Sequence, residues 1–438
     1  MSDWPMCSIG SLCDIVKGET GLASATPGEY PLVTTGAERK KANTWQFDTE
    51  AVCIPLVSST GHGKKTLNYV HYQEGKFALG TILAAVIPKD KNILSASYMH
   101  RYLQFYKDRK IVPLMRGAAN VSLAVRDIAK IEIPVPPIEK QRSLIQLFNK
   151  LYDFDSAFGD ETATQSDIIA KLRQAVLQEA IEGKLTVDWR KSNPVYKGDV
   201  EYDAAALLDK IKIEKQRLVV EGKIRKEKPL APIKAEDVPF ALPEGWVWTR
   251  LGEVIEYTEN LDIQKHLQIN KIINYVDIDA IDNKTHTIRE FKQKFVSELS
   301  SRARRVIKKN YIVYSTVRPY LENIAIMQND VDNCIGSTGF VVFKPVLVRN
   351  QFVFDFLLSP SLNMKYKEMM SGFNSPGITN EQFENTYFPL PPYAEQQIIV
   401  LHIENLFAII DELEVQMRER KGQVEGVLQV VFGEAFEK

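Results

Sequence analysis

The sequence is poor in cysteine, has no surplus of charge and lacks any long apolar run. Its four cysteines (Cys7, Cys13, Cys53, Cys334) show neither CxxC spacing nor neighbouring histidine pairs. Neither a disulfide framework nor a zinc site is expected. Lys and Arg number 55 against 56 Asp and Glu, a formal net charge of −1 over 438 residues. There is thus no global nucleic-acid footprint, and any such binding must come from local basic patches. With no signal peptide and no membrane-length apolar segment, the chain is expected in the cytoplasm. Hydrophobic content of 45% and charged content of 25% are ordinary for a globular protein, and the length calls for two or more domains.

What the sequence does have is a long internal repeat. Ile133-Pro134-Val135-Pro136-Pro137-Ile138-Glu139-Lys140-Gln141 returns 255 residues later as Phe388-Pro389-Leu390-Pro391-Pro392-Tyr393-Ala394-Glu395-Gln396. The register holds without a gap from Met115-Arg116-Gly117 against Met370-Ser371-Gly372 to Glu179-Ala180 against Glu434-Ala435. A period this long marks a duplicated domain rather than a solenoid unit. Two similar modules suit a ligand with two similar halves.

Each copy opens with a β-rich half in which Ala51–Val57, Thr81–Ile87, Tyr311–Ser315 and Gly339–Phe343 read as strands. The Pro-Pro element then ends a strand and opens a helix, because proline lacks the donor a strand needs but suits a first helical turn. Long helices are expected over Glu139–Gly183 and Ala394–Lys438, each roughly 65–70 Å if unbroken. Gly159 is a candidate bend. Heptad spacing gives one seam of Leu144, Leu147, Leu151, Phe154, Phe158, Ile168, Leu172 and Ala175. The other seam is Ile399, His402, Leu406, Ile409, Leu413, Val427 and Val430. Both are polar in the middle, as a coiled-coil pair allows. Ile145, Phe148, Ile169, Val400 and Val424 are left over as apolar residues for docking another subunit. Between the copies, a helix over Leu207–Gly222, a basic run Lys223–Lys228 and Pro229, Pro232, Pro239 and Pro243 read as a surface linker.

These features together resemble the specificity (S) subunit of type I restriction-modification systems, in its long-spacer subclass. The resemblance rests on the doubled P-x-P-P-x-x-x-Q helix start, Leu177-Gln178-Glu179-Ala180 with Gly183-Lys184-Leu185, Asp188-Trp189-Arg190, and Leu242-Pro243-Glu244-Gly245-Trp246. It covers essentially the whole chain. Ala394 and Ser371 depart from the first copy's Glu139 and Arg116. The resemblance implies an α/β (α+β) fold with two β-rich target recognition domains and two long antiparallel helices. Its expected divisions are 1–137, 138–183, 184–241, 242–392 and 393–438. It also implies that each recognition domain reads half of a bipartite asymmetric DNA site. The helices would set the half-site spacing and dock two methyltransferase subunits, through which restriction subunits join. Cofactors are expected on those partners (S-adenosylmethionine, ATP and magnesium) and none on this chain. A specificity chain for another, type II-like modification assembly is the alternative.

Catalytic motifs fall short. An adenine methyltransferase needs Asn or Asp before Pro-Pro-aromatic, but Leu390-Pro391-Pro392-Tyr393 has leucine there, which cannot accept the amino group's hydrogen bond. Ser59–Thr66 lacks the first glycine of a phosphate loop. Asp282 with Glu290-Phe291-Lys292 is a weak nuclease-like match that reads better as a solvated strand or loop. A self-contained methyltransferase is therefore disfavoured.

DNA contacts are expected from loops held on the rigid scaffold. In the first copy they are Thr34 and Thr35 with Arg39, Lys40 and Lys41, then Ser59, His62, Lys64 and Lys65, and Arg116 with Asn120. In the second they are Arg302, Arg304, Arg305, Lys308 and Lys309, Thr316 with Arg318, and Ser371 with Asn374. Arg116 and Asn120 are the favoured base readers, since Arg and Asn make bidentate contacts to guanine and adenine.

Overall fold

The computed structural model describes residues 4–22, 25–60, 63–226, 228–261, 270–372 and 375–437. It divides into two units, residues 1–164 with 416–438 and residues 165–415.

The first unit builds a module from two four-stranded sheets and a short ribbon. One sheet is antiparallel throughout, in the order Cys13–Lys17, Leu83–Pro88, Ala51–Pro55, His71–Gln73. The other runs Lys40–Ala42, Tyr30–Val33, Lys76–Leu79, Phe47–Asp48, with a parallel central pair. Met6–Ser8 pairs with Glu132–Pro134 to close the module on itself. The strands are Val-, Ile- and Ala-rich because both faces of the first sheet are covered: Val52, Ile54 and Val86 pack under the helix Ala96–Lys110, while Cys53 and Ala85 face the second sheet's Val33 and Leu79.

The second unit repeats this plan strand for strand. Ile255–Tyr257, Phe340–Pro345, Ile312–Ser315 and Ile324–Ile326 form the antiparallel sheet. Lys292–Phe295, Ile272–Val276, Cys334–Ser337 and Ala303–Val306 form the mixed one, again with a parallel central pair. Val247–Arg250 pairs with Tyr387–Leu390. Where the first unit has one recognition helix the second has two, Asn350–Leu357 and Pro360–Met369, since a proline suits a helix start and not its interior. All four expected strands are present within two residues.

The long helices are Ile138–Ile181 and Tyr393–Glu437, of 44 and 45 residues. Gly159 neither breaks nor bends the first into two elements; nothing lies within 4 Å of where its Cβ would be. Inside the first unit the helices run antiparallel, Phe148 meeting Phe432 at 5.3 Å and Arg420 lying over Phe158 at 5.4 Å.

The heptad seam is corrected in part. Leu144, Phe158 and Ile399 are buried, but Leu147, Phe154, Ile168, Leu172, Ile409, Leu413, Val427 and Val430 are exposed. The buried stripe instead includes Phe148, Phe432 and Phe436, because the helix ends pack against a module as well as against each other. Phe148 is therefore core and not a docking residue. Ile145 and Val424 pack partly buried on the first unit's core, as Ile169 and Val400 do on the second's.

The connecting segment begins as part of the second unit's core. Glu395, 1% exposed, accepts from Thr186 Oγ1 at 2.6 Å and Trp246 Nε1 at 2.7 Å, and is paired with Arg190. The helix Ala204–Val220 follows. The proline-spaced stretch is docked rather than loose: Arg250 donates to the carbonyls of Ala231 at 3.1 Å and Asn385 at 2.5 Å, and Phe240 packs edge-on against Trp248.

Candidate nucleic-acid interface

In each module the same four backbone bonds frame two loops, two closing one loop on itself and two joining it to the other. In the first, Arg116 and Ser122 exchange N–H···O bonds of 2.8 Å each, Ser58 N donates to Val121 O at 3.0 Å, and Leu123 N to Leu56 O at 2.8 Å. In the second, Ser371 and Gly377 exchange bonds of 3.0 Å, Arg318 N donates to Pro376 O at 2.8 Å, and Ile378 N to Thr316 O at 3.0 Å. The turns within the loops need Gly117 (φ +123°) and Gly372 (φ +106°), a backbone region open to glycine at little cost.

In the first module the loop beginning at Ser58 is stapled by its own hydroxyls. Thr60 Oγ1 and Thr66 Oγ1 lie 2.7 Å apart, and Ser58 Oγ donates to Lys64 O at 2.5 Å. Its tip touches the partner loop: a Cβ on Gly63 (φ +76°) would sit 2.2 Å from Ala118 O. Exposed Lys64 and Lys65 are thereby brought beside exposed Arg116 and Asn120. Arg116, its side chain 73% exposed, lies 3.8 Å from the buried Asp127 carboxylate. Lys130 hydrogen-bonds that carboxyl at 3.2 Å and holds it below the usual carboxylate range. Arg116 is so oriented from behind while the rest of its fork faces outward.

Other candidates are placed differently. Thr34 is buried, and Arg39 is turned inward, donating to Gln73 Oε1 at 2.9 Å and Tyr72 O at 3.1 Å beside His71. These bonds tie the strand Lys40–Ala42 to His71–Gln73 and engage the Arg39 guanidinium within the module, where burial also lowers its pKa. Thr35 is half-buried beside it; Lys40, Lys41 and Ser59 remain on the accessible surface, Ser59 accepting from Asn68 N at 2.9 Å. In the second module Thr316 is buried and donates to Gly339 O at 3.1 Å, whereas Arg318 and Ser371 are exposed. Arg304 donates to Ser301 O at 2.7 Å, Arg305 is half-buried with its pKa lowered by burial, and Lys308 pairs with Glu259 at 2.8 Å. Of that basic run Arg302, Lys308 and Lys309 are exposed. His62 and Asn374 lie outside the described residues.

The nuclease-like match is a stapled turn. Asp282 accepts from Lys284 N at 2.8 Å and Arg289 Nε at 2.9 Å, and Lys292 pairs with Asp279. Leu390 is fully buried in the core.

The repeated glutamine, noted in sequence only as a motif letter, has a definite task. Gln141 is fully buried; it accepts from Ser95 N at 2.9 Å and donates to Ile93 O and Pro136 O at 2.8 Å each. Gln396, also buried, accepts from Arg349 N at 2.9 Å and donates to Pro391 O at 3.1 Å. Ser95 and Arg349 are the residues capping the two recognition helices. Each glutamine thus locks a long helix to the helix that backs its module.

This fold defines a protein of two like modules carried on paired helices, each offering a basic or hydroxyl-bearing loop pair. The model of the type I restriction modification DNA specificity domain matches residues 1–158 and 243–420, and the chain belongs to that family of specificity subunits. It is 23% identical to the EcoDI specificity subunit of Escherichia coli over 99% of this chain and 88% of that one. It is 30% identical to the E. coli EcoAI specificity subunit over 57% of this chain, and there the match spans only 41% of the relative. Among solved structures, the HsdS subunit from Thermoanaerobacter tengcongensis shares the fold with a TM-score of 0.51 at 14% identity, covering 99% of this chain and 96% of that one. A chain from a study of type I R-M complex assembly and conformational transition reaches 0.56 at 14%, covering 99% and 97%.

Proposed function

We propose that this chain selects the DNA site for a type I restriction-modification complex and has no catalysis of its own. The observation that carries the reading is the doubled loop pair: two modules of one topology present the same backbone frame with different side chains on it. Each module reads one half of a bipartite, asymmetric duplex target, with Lys64 and Lys65 on phosphates and Arg116 and Asn120 at base edges. The long helices set the half-site spacing. Two methyltransferase subunits dock on the exposed apolar residues of those helices, Phe154, Val427 and Val430 in the first unit and Ile168, Ile409 and Leu413 in the second. Restriction subunits join through them, and S-adenosylmethionine, ATP and magnesium belong to the partners. No helix among the described residues is long and apolar enough to cross a membrane, and the complex is proposed to work in the cytoplasm.

The test is module exchange. Replacing residues 1–133 with the corresponding module of another family member, then mapping methylation by the assembled complex, is expected to change one half-site and leave the other. A change in both halves would refute the division of labour.

A further inference from the structure

The second unit contains an open cleft of about 960 Å³ where its recognition helix faces the long helices. Phe354, Leu358, Ile403 and Phe407 give it an apolar floor. Its charge is unbalanced. Asp355, Glu322, Glu404, Asp411 and Glu414 line it against Arg173 and Lys284. Arg173 is already committed, pairing with Asp411 and with Glu414 at 3.5 Å and lying over Phe407 at 5.3 Å.

Asp355 is the anomaly. It is 4% exposed; one carboxyl oxygen accepts from Gln351 Nε2 at 2.9 Å and the other is buried without a partner. Among the described residues, buried carboxyl oxygens left unpaired are otherwise absent, and an unsatisfied buried acceptor is destabilising. Nearby, His286 Nδ1 is also buried and unpartnered.

The first unit shows what belongs there. Counting from the helix cap held by each glutamine, Arg101 stands where Asp355 stands; counting from the glutamines, Asn149 and Tyr152 stand where Glu404 and Phe407 stand. Arg101 donates to Asn149 Oδ1 at 2.8 Å and lies over the Tyr152 ring at 4.2 Å. In the first unit the guanidinium is supplied by the chain itself. In the second its place is taken by a carboxyl, a further carboxylate replaces the asparagine, and the aromatic ring remains.

We infer that the second unit's cleft binds the guanidinium of an arginine side chain presented by a partner protein, with Asp355 and Glu404 as its acceptors. A cleft near the top of the range of about 300–1,000 Å³ typical of ligand sites exceeds what a bare guanidinium fills. The arginine therefore arrives flanked by apolar residues that cover the floor. Burial pushes the Asp355 carboxyl up to about 8, with Glu404 adding in the same direction. An arriving cation lowers it again, so binding at neutral pH releases a proton and strengthens as pH rises toward 8. His286, Lys284, Arg173, Asp411, Glu414 and Glu322 are the other titratable groups facing the cleft.

The test is calorimetric titration of the full chain with acetyl-Leu-Arg-Leu-amide, its neutral citrulline counterpart and argininamide. One arginine peptide is expected to bind per chain, with the citrulline peptide at least tenfold weaker. Glu404→Gln, at an exposed position, is expected to weaken the arginine peptide several-fold, and Asp355→Asn to abolish the proton release measured across buffers of different ionisation enthalpy. Equal binding of the arginine and citrulline peptides, absence of binding at millimolar peptide, or wild-type behaviour of both variants overturns the site. Argininamide binding as tightly as the peptide overturns the protein partner in favour of a small cation.

Discussion

The junction between the sheet-backing helix and the long helices is aromatic in the first unit, and aliphatic with an ionic, partly open flank in the second. Phe148 stacks on Phe436 at 4.7 Å and Phe432 at 5.3 Å, with Tyr102 and Tyr152 closing around them. The corresponding positions of the second unit, Ile403, Leu177 and Ile181, are buried and aliphatic, and beside them Arg173 sits between Asp411 and Glu414. Two copies with one strand order have therefore filled the same apolar contact with different side chains and surrounded it with different charges. Topology was kept because backbone pairing demands it; side chains were free to change wherever volume and polarity stayed satisfied.

The largest expected effect follows from the aromatic side. Phe148→Ala should destabilise the first unit by about 3–5 kcal/mol, insensitive to salt. Hydrogen exchange read separately over the two units is the measurement, and equal loss in both would mean that the cores are not independent. Next come the glutamines. Gln141→Leu and Gln396→Leu each strand buried backbone groups at about 1–3 kcal/mol per group, and Gln141, with three bonds against two, should cost more in denaturant melts.

Binding effects are smaller and more selective. Arg116→Ala should relax one base position and cost about 1–3 kcal/mol on the cognate site. Lys64→Ala with Lys65→Ala should weaken all sequences alike and flatten the salt dependence. A uniform loss from Arg116→Ala would reduce that residue to a backbone contact. Competition binding on single-base variants separates the two outcomes.

The gentlest test uses pH. Burial lowers His71 and His100 to about 4, below the ordinary 6.5. Their stabilisation of the first unit is full above 6.5 and is lost as pH falls from there toward 4. Asp355, raised to about 8, acts oppositely: its contribution to the second unit is full below the ordinary 3.8 and is lost as pH rises through 8. Exchange protection at pH 5 against pH 7 should therefore fall in the first unit and not in the second.

Much of the fold was readable because its signals are local. Alternating β-branched runs marked Ala51–Pro55 and Ile312–Ser315, and Pro136-Pro137 and Pro391-Pro392 marked the helix starts at Ile138 and Tyr393. Glycine with basic or hydroxyl residues marked the paired loops. What failed depends on distant partners. The bonds of Gln141 go to residues 46 and 48 positions away, beyond any local pattern. Heptad reasoning assumed a partner helix alone, so Leu147, Ile168 and Ile409 were assigned to a seam and Phe148 to the surface. Sequence shows the charge of Arg39 but not that its guanidinium is engaged within the module.

The glutamine locks have one further consequence. Every group they grip outside their own helix start, Ser95 N, Ile93 O and Arg349 N, is peptide backbone, which any amino acid supplies. This part of the coupling is a socket indifferent to the sequence of what is plugged into it, unlike the ring contacts of Phe436 beside it. A replacement module then needs a correctly placed helix cap and an apolar face that accepts Phe148 and Phe436.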